Sequence, residues 1–283
     1  MSKPQIYFAH ANSYPAGTYR QLFELLGEDF DIQALDMHAH DPRHPVTDGW
    51  PALVEELIDQ LDQRYHGTPV ILLGHSLGGM LGLMVAKARP DLVRCVVMLD
   101  APVVAGWRAL FWRLVKLTPL ADKYSPAAFS ARRRTVWPDA EAAYQHFAAK
   151  DIFAAWAPGV LRDYIDSGLK PHPDGVQLRF SREIETMVYR NLPHHLGRLL
   201  KGRYPVAIGF IGGTNSWETK QSGLAHTRRL VGRFFRLVPG GHLFPMESPA
   251  RAAQEVRAMI ADLLAGESAA NGAEKQLHSA GAT

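Results

Sequence analysis

A chain of 283 residues, 47% of them hydrophobic and 21% charged, has the material for a globular fold with a sizeable core. The net charge of +3 and the lack of a basic run with interleaved aromatics exclude an obvious nucleic-acid surface; Arg132-Arg133-Arg134 reads as a solvated face. One cysteine, Cys95, excludes an internal disulfide, and no apolar run reaches about 18 residues, so a cytoplasmic protein without a membrane span is expected.

The N-terminus enters a strand at residues 5–9 without the apolar region of a signal peptide. A loop, His10 to Gly17, leads to a helix over residues 18–26 that carries Tyr19, Leu22, Phe23 and Leu26 on one face. A strand over 30–35 and a loop rich in His, Asp and Pro follow. A helix over 50–65 presents Leu53, Leu57, Ile58 and Leu61. The all-apolar run Val70–Leu73 ends in Gly74-His75-Ser76-Leu77-Gly78, and a helical pattern starts at once with Leu77, Met80, Leu81, Met84 and Val85. A further strand, Val93–Leu99, ends at Asp100-Ala101-Pro102. This alternation predicts an α/β fold, a parallel sheet with helices on both faces and its functional loops at the carboxyl ends of the strands.

Residues 104–203 break the alternation. They read as helices near 107–117, 140–150, 160–168 and 181–190, with one strand signal at 176–180. They are rich in aromatics such as Trp107, Phe111, Trp112, Trp137, Phe147 and Trp156, most of which must pack. Alternation resumes with a strand at 206–211, a helix at 222–232, a strand at 234–238 and a helix at 249–264. The expected organisation is a core of residues 1–103 and 204–265, a helical cap over 104–203, and a disordered tail, 266–283, of small and polar residues.

The chemistry begins at the Gly-x-Ser-x-Gly turn between strand and helix. That context makes it a nucleophile elbow, in which glycines two before and two after the serine let strand and helix approach closely. Ser76 is then the candidate nucleophile. The amide of Leu77, at a helix N-terminus, is one candidate oxyanion donor. Asn12, in the loop after the first strand, is the other, through its backbone amide, and its side chain offers a further donor; His10 would pin that loop. A serine hydroxyl needs a base. Of 13 histidines, His242 is best placed, in a Pro-Gly-Gly-His loop after the last strand. An acid to orient it would commonly follow the strand at 206–211, but Asn215 stands there. The candidates are Asp100, at the end of the strand next to the elbow strand and preferred, and Glu218 as the alternative; a site without an acid is the third reading. His38, His40 and His44 with Asp36 and Asp41 lack helical ligand spacing and read as a solvated loop. Neither a metal site nor a nucleotide-binding motif stands out, and no cofactor is expected.

In its elbow, its downstream His loop and its His10-Ala11-Asn12 loop, the chain resembles the α/β-hydrolase superfamily, above all its lid-bearing serine esterases. The resemblance covers residues 5–103 and 204–265 as core. It implies Ser76 as nucleophile, His242 as base, Asn12 and Leu77 as the oxyanion hole, and acyl transfer to water through an acyl-enzyme. His10-Ala11 departs from the usual His-Gly, and Asn215 departs from the usual acid. An acid at Asp100 resembles a variant found in haloalkane dehalogenases, though Ser76 in place of their aspartate nucleophile argues against dehalogenation. The usual leading hairpin has no room before Gln5, so about six parallel strands are expected. The implied activity is that of a serine hydrolase, a carboxylic ester hydrolase acting on a small or medium apolar acyl substrate. A thioesterase, a C–C bond hydrolase or a cofactor-free perhydrolase would share the triad. A non-catalytic small-molecule-binding protein on the same fold is the reading of a different class, and a homodimer is left open.

Overall fold

The chain begins with short apolar runs, and the structure, a computed structural model, turns each into a strand. It describes residues 2–116, 118 and 126–280, with side chains through Glu267. The strands are β1 (Gln5–Ala9), β2 (Asp31–Ala34), β3 (Val70–His75), β4 (Val93–Leu99), β5 (Val136–Trp137), β6 (Leu169–His172), β7 (Gly175–Leu178), β8 (Ala207–Gly213) and β9 (Phe235–Val238). Six of them form one sheet in the order β2-β1-β3-β4-β8-β9. Every neighbouring pair in it is parallel. The expected six-stranded parallel sheet is what forms.

Helices cover both faces, as an all-parallel sheet requires. Side chains alternate along β1. Ile6 and Phe8 join a core with Leu22 of α1 (Arg20–Leu26) and with Val256 and Met259 of the last helix. Tyr7 and Ala9 face the other core, with Leu53 and Leu57 of α2 (Pro51–Tyr65) and Leu81 and Val85 of α3 (Leu77–Ala88). All six residues of β3 are buried. Cys95 of β4 is buried as well, and burial pushes its thiol up to about 12, so it stays protonated.

Register does the positioning. Ala9 pairs with Gly74, His75 with Leu99, and Leu99 with Ile211. The loops that leave β1, β3, β4 and β8 therefore start side by side on one rim. Between β4 and β8 the chain carries α4 (Trp107–Val115), further helices such as Val160–Gly168 and Arg182–Arg190, and a small antiparallel sheet, β5-β7-β6. Sequence periodicity missed most of that sheet. Its hairpin pairs Leu169 with Leu178 and His172 with Gly175 around Pro173-Asp174. Pro-Asp-Gly is a turn signature, and it is the local signal that marks this hairpin. Gly175 has φ 128°, and a Cβ there would lie 2.2 Å from Pro138 O.

This inserted segment rests on the rim. Ala157 N donates to Met246 O at 2.9 Å, and Ser181 N donates to His40 Nε2 at 2.9 Å. Trp50 Nε1 donates to Val188 O at 3.2 Å. The C-terminal helix spans Pro249–Ala280, so its backbone runs on past Leu264 into the stretch expected to be disordered, of which residues 281–283 lie outside the described residues. That stretch is rich in alanine, the strongest helix former. Among the described residues, no helix is long and apolar enough to cross a membrane.

Candidate active site

The turn from β3 to α3 puts Ser76 in a conformation that L-residues avoid, φ 52° and ψ −112°. Its neighbours hold it there: Ser76 N donates to Leu99 O at 2.9 Å, and Ser76 O accepts from Met80 N at 3.2 Å. The flanking glycines are steric necessities. A Cβ on Gly74 would lie 2.3 Å from Gly78 C, and one on Gly78 would lie 1.9 Å from Ala9 O. Helix α3 is therefore pressed against β1 and the loop that follows it.

Three side chains named from sequence meet here. Ser76 Oγ lies 3.0 Å from His242 Nε2, and His242 Nδ1 lies 2.5 Å from Asp100 Oδ2. Asp100 follows β4 with φ 43°, which turns its side chain up from the sheet. It is fully buried, and its carboxylate is held by donors. Gly213 N donates to Oδ1 at 2.8 Å, and Ser216 Oγ donates to Oδ2 at 2.6 Å. Glu218 stands further off, 3.8 Å from His242 Nδ1 and half exposed. Asn215 is exposed, and its backbone N donates to Gly240 O at 2.9 Å, which steadies the histidine loop. Ser216, which sequence reasoning passed over, both caps the helix Trp217–Ser222 and orients Asp100. Its signal was its position at the start of a short helix two residues before Glu218.

Electrostatics shift His242 toward its charged form. Burial opposes that charge, but the hydrogen bond to Asp100 and the charges of Glu218, Asp100 and Glu247 outweigh it, so the imidazole sits above its ordinary value. Asp100, Glu218 and His242 also form the one group, among the described residues, with three metal-capable atoms close together. The hydrogen bond between His242 and Asp100 already uses two of them.

Leu77 opens α3 beside Ser76, with its amide at the helix N-terminus. Asn12 lies buried in the loop after β1. Its side chain is committed elsewhere than sequence allowed for: Asn12 Nδ2 donates to Glu185 O of the inserted segment at 3.1 Å. Glu185 is itself fixed by a buried ion pair with Arg133 at 2.9 Å. That bond fixes the Asn12 side chain toward the inserted segment, and its backbone amide remains the candidate oxyanion donor.

His10 pins the same loop. His38 N donates to His10 Nε2 at 2.7 Å, so the ring proton sits on Nδ1 and is donated to Ala11 O at 2.8 Å. Burial takes the His10 pKa down to about 3, so the ring stays neutral. With Ala11 O held away by His10, the planar peptide aims Asn12 N–H the opposite way. The His loop after β2 is less solvated than its composition implied. His38 is fully buried, 3.0 Å from the buried carboxylate of Glu56. Ala39 N donates to the same carboxylate at 3.1 Å.

A family model described as "Alpha/beta hydrolase family" matches residues 6–255. The chain belongs to the alpha/beta hydrolase family. It is a hydrolase, and its similar proteins include lipases. Lipase LipV of Mycobacterium tuberculosis is 26% identical over 238 residues, covering 82% of this chain and 84% of LipV. The monoglyceride lipase of Homo sapiens is 29% identical over 111 residues, 37% of each chain. Among solved structures, E-2-(acetamidomethylene)succinate hydrolase superposes with a TM-score of 0.74 at 21% identity, covering 92% of both chains. At that identity the structural likeness speaks for the alpha/beta hydrolase fold alone.

Proposed function

We propose that this alpha/beta hydrolase is a serine hydrolase that cleaves a small or medium apolar ester through an acyl-enzyme. The observation that carries the reading is the unbroken contact line from Ser76 Oγ to His242 Nε2, at 3.0 Å, and from His242 Nδ1 to Asp100, at 2.5 Å. His242 Nε2 takes the hydroxyl proton as Ser76 Oγ attacks the ester carbonyl. Asp100 accepts from Nδ1–H, which keeps the Nε2 lone pair facing Ser76 and stabilises the imidazolium. The negative oxygen of the tetrahedral intermediate is received by the amides of Leu77 and Asn12. The imidazolium then protonates the leaving alcohol. Water, deprotonated by the same histidine, releases the acid.

The apolar substrate class draws on the inserted segment and on the names of the relatives. Tyr14, in the oxyanion loop, packs against Trp156 and Tyr164 of that segment with ring centroids 5.8 Å away in each case. These rings pack beside the oxyanion loop, and an apolar, aromatic surrounding there suits an acyl chain better than a polar group.

The test is fluorophosphonate labelling together with turnover of p-nitrophenyl esters of graded chain length, with acyl-CoA thioesters alongside. Labelling at Ser76 and ester turnover, both lost in Ser76→Ala, support the reading. An unlabelled Ser76 would leave a non-catalytic binding protein. Thioesters turned over far faster than esters would move the substrate class.

A further inference from the structure

A largely buried hydrogen-bond chain links all three loops around Ser76 without touching a reacting atom. Ala11 N lies 3.1 Å from Tyr19 Oη, Tyr19 Oη lies 2.7 Å from His75 Nδ1, and His75 Nε2 lies 2.9 Å from His242 O. Every polarity in it is forced. Ala11 N–H can only donate, so the Tyr19 oxygen accepts there and its own proton goes to His75 Nδ1. Nδ1 is then an acceptor, and the ring proton sits on Nε2. The carbonyl of His242 can only accept, and it receives that proton.

We infer that Tyr19 and His75 are positioning residues, a relay that ties the backbone of His242 to the nucleophile elbow and to the oxyanion loop. The inference rests on the serine hydrolase reading above. Its physical basis is the looseness of the loop that carries His242. Gly240 has φ 134°, and Gly241 follows, so the chain there has little stiffness of its own. Outside bonds supply it. Gly241 N donates to the Glu247 carboxylate at 2.9 Å, Gly240 O accepts from Asn215 N at 2.9 Å, and His75 supplies the clamp on residue 242 itself. A carbonyl held at 2.9 Å limits how far the imidazole on the same residue can swing away from Ser76.

The relay is rigid at both ends. Tyr19 and His75 are 2% and 0% exposed. The Tyr19 ring is wedged against Phe8, with centroids 4.6 Å apart. The His75 ring lies 5.1 Å from that of His242, so a second positive charge there would oppose the imidazolium that acyl transfer creates. Burial keeps His75 neutral, well below its ordinary value. A neutral ring with one fixed tautomer can hold the loop in every step of the cycle.

The experiment compares Tyr19→Phe, His75→Leu and His75→Gln with the unsubstituted protein, and with Tyr65→Phe as control. The Tyr65 hydroxyl is also buried but reaches only Ile6 O, at 3.4 Å. The readouts are the rate of Ser76 phosphonylation, kcat and KM for p-nitrophenyl butyrate, and the downfield proton resonance of the His242–Asp100 hydrogen bond. Tyr19→Phe and His75→Leu should slow phosphonylation and kcat by about 10- to 100-fold, with KM within about threefold. The downfield resonance should shift or broaden in both. His75→Gln, whose amide N–H can still donate to His242 O, should recover most of the rate, and Tyr65→Phe should match the unsubstituted protein. Rates within about twofold in Tyr19→Phe would overturn the relay. Equal losses in His75→Gln and His75→Leu would do the same. Should His75→Leu fail to fold, Tyr19→Phe, which removes a single oxygen, decides. If Ser76 of the unsubstituted protein takes no label, the hydrolase reading falls and the relay with it.

Discussion

Replacing Asp100 by asparagine tests the proposed triad at its most informative point, because the surroundings decide how the new amide must sit. Gly213 N–H donates to Oδ1 at 2.8 Å and can only donate. In Asp100→Asn the amide oxygen is therefore drawn to that position, and the amide nitrogen takes the place of Oδ2. There it faces His242 Nδ1, 2.5 Å from the oxygen it replaces, and donates to it. His242 must then carry its proton on Nε2, where it points at Ser76 Oγ and cannot accept from it. The geometry survives and the tautomer is wrong. A wrong tautomer in a Ser-His-Asp site costs about 10⁴ in kcat, or about 5 kcal/mol of barrier. Steady-state hydrolysis of p-nitrophenyl butyrate, with a thermal melt to verify folding, measures it. Glu218→Gln is the comparator and should stay within about tenfold, because Glu218 lies 3.8 Å from Nδ1 and is half exposed. A loss below about tenfold in Asp100→Asn would refute the reasoning, and a collapse in Glu218→Gln instead would move the acid to Glu218.

Groups around the triad can be probed in the same assays. The raised His242 pKa means that kcat/KM should fall as acid protonates the base, with a midpoint above 6.5 that moves down in Glu218→Gln; a midpoint below 6.5 counts against the charge balance described. By the same linkage, the charged ring stabilises the fold fully below 6.5, and this contribution is lost as pH rises through the folded value, which melts recorded across that range would report. Ser216→Ala removes both a helix cap and a donor to Asp100; about 1 kcal/mol of stability and about tenfold in kcat should go, and an unchanged kcat would show that Gly213 N alone suffices. Gly78→Ala places a methyl 1.9 Å from Ala9 O, so it should cost about 3 kcal/mol or more and lower the melting temperature by several degrees; a melt within about 1 °C would mean the elbow has slack that the structure does not show.

What was legible in the sequence was what local pattern decides. Short apolar runs marked the inner strands, because a strand buried on both faces needs apolar side chains throughout, as in β3, whereas the edge strands β2 and β9 are partly exposed. Glycines at 74 and 78 marked the elbow, because no other residue fits there. What stayed hidden depends on partners far along the chain. Asn12 looked like a free amide until Glu185 O, 173 residues on, took its nitrogen. His38 looked solvated because its partner Glu56 lies on α2 and only the fold buries the pair. The strands β5, β6 and β7 are only 2, 4 and 4 residues long and partly exposed, too short for a period of two to stand out.

The place of the acid has a structural consequence. With Asp100 at the end of β4, two members of the proposed triad leave adjacent strands, and the pairing of His75 with Leu99 sets them next to each other. Both residues take positive φ, 52° at Ser76 and 43° at Asp100, so each of the two strands ends in a backbone turn that L-residues avoid. Hydrogen bonds from one strand end to the next hold that strain: Ser76 N donates to Leu99 O, and Asp100 N donates to Ile211 O at 2.8 Å. Serine and acid are thus fixed by the sheet itself. The histidine is not, because it arrives on a glycine loop from beyond β9. The supporting bonds from Glu247, Asn215 and His75 gather on that loop, the one member of the site whose position the sheet register leaves undetermined.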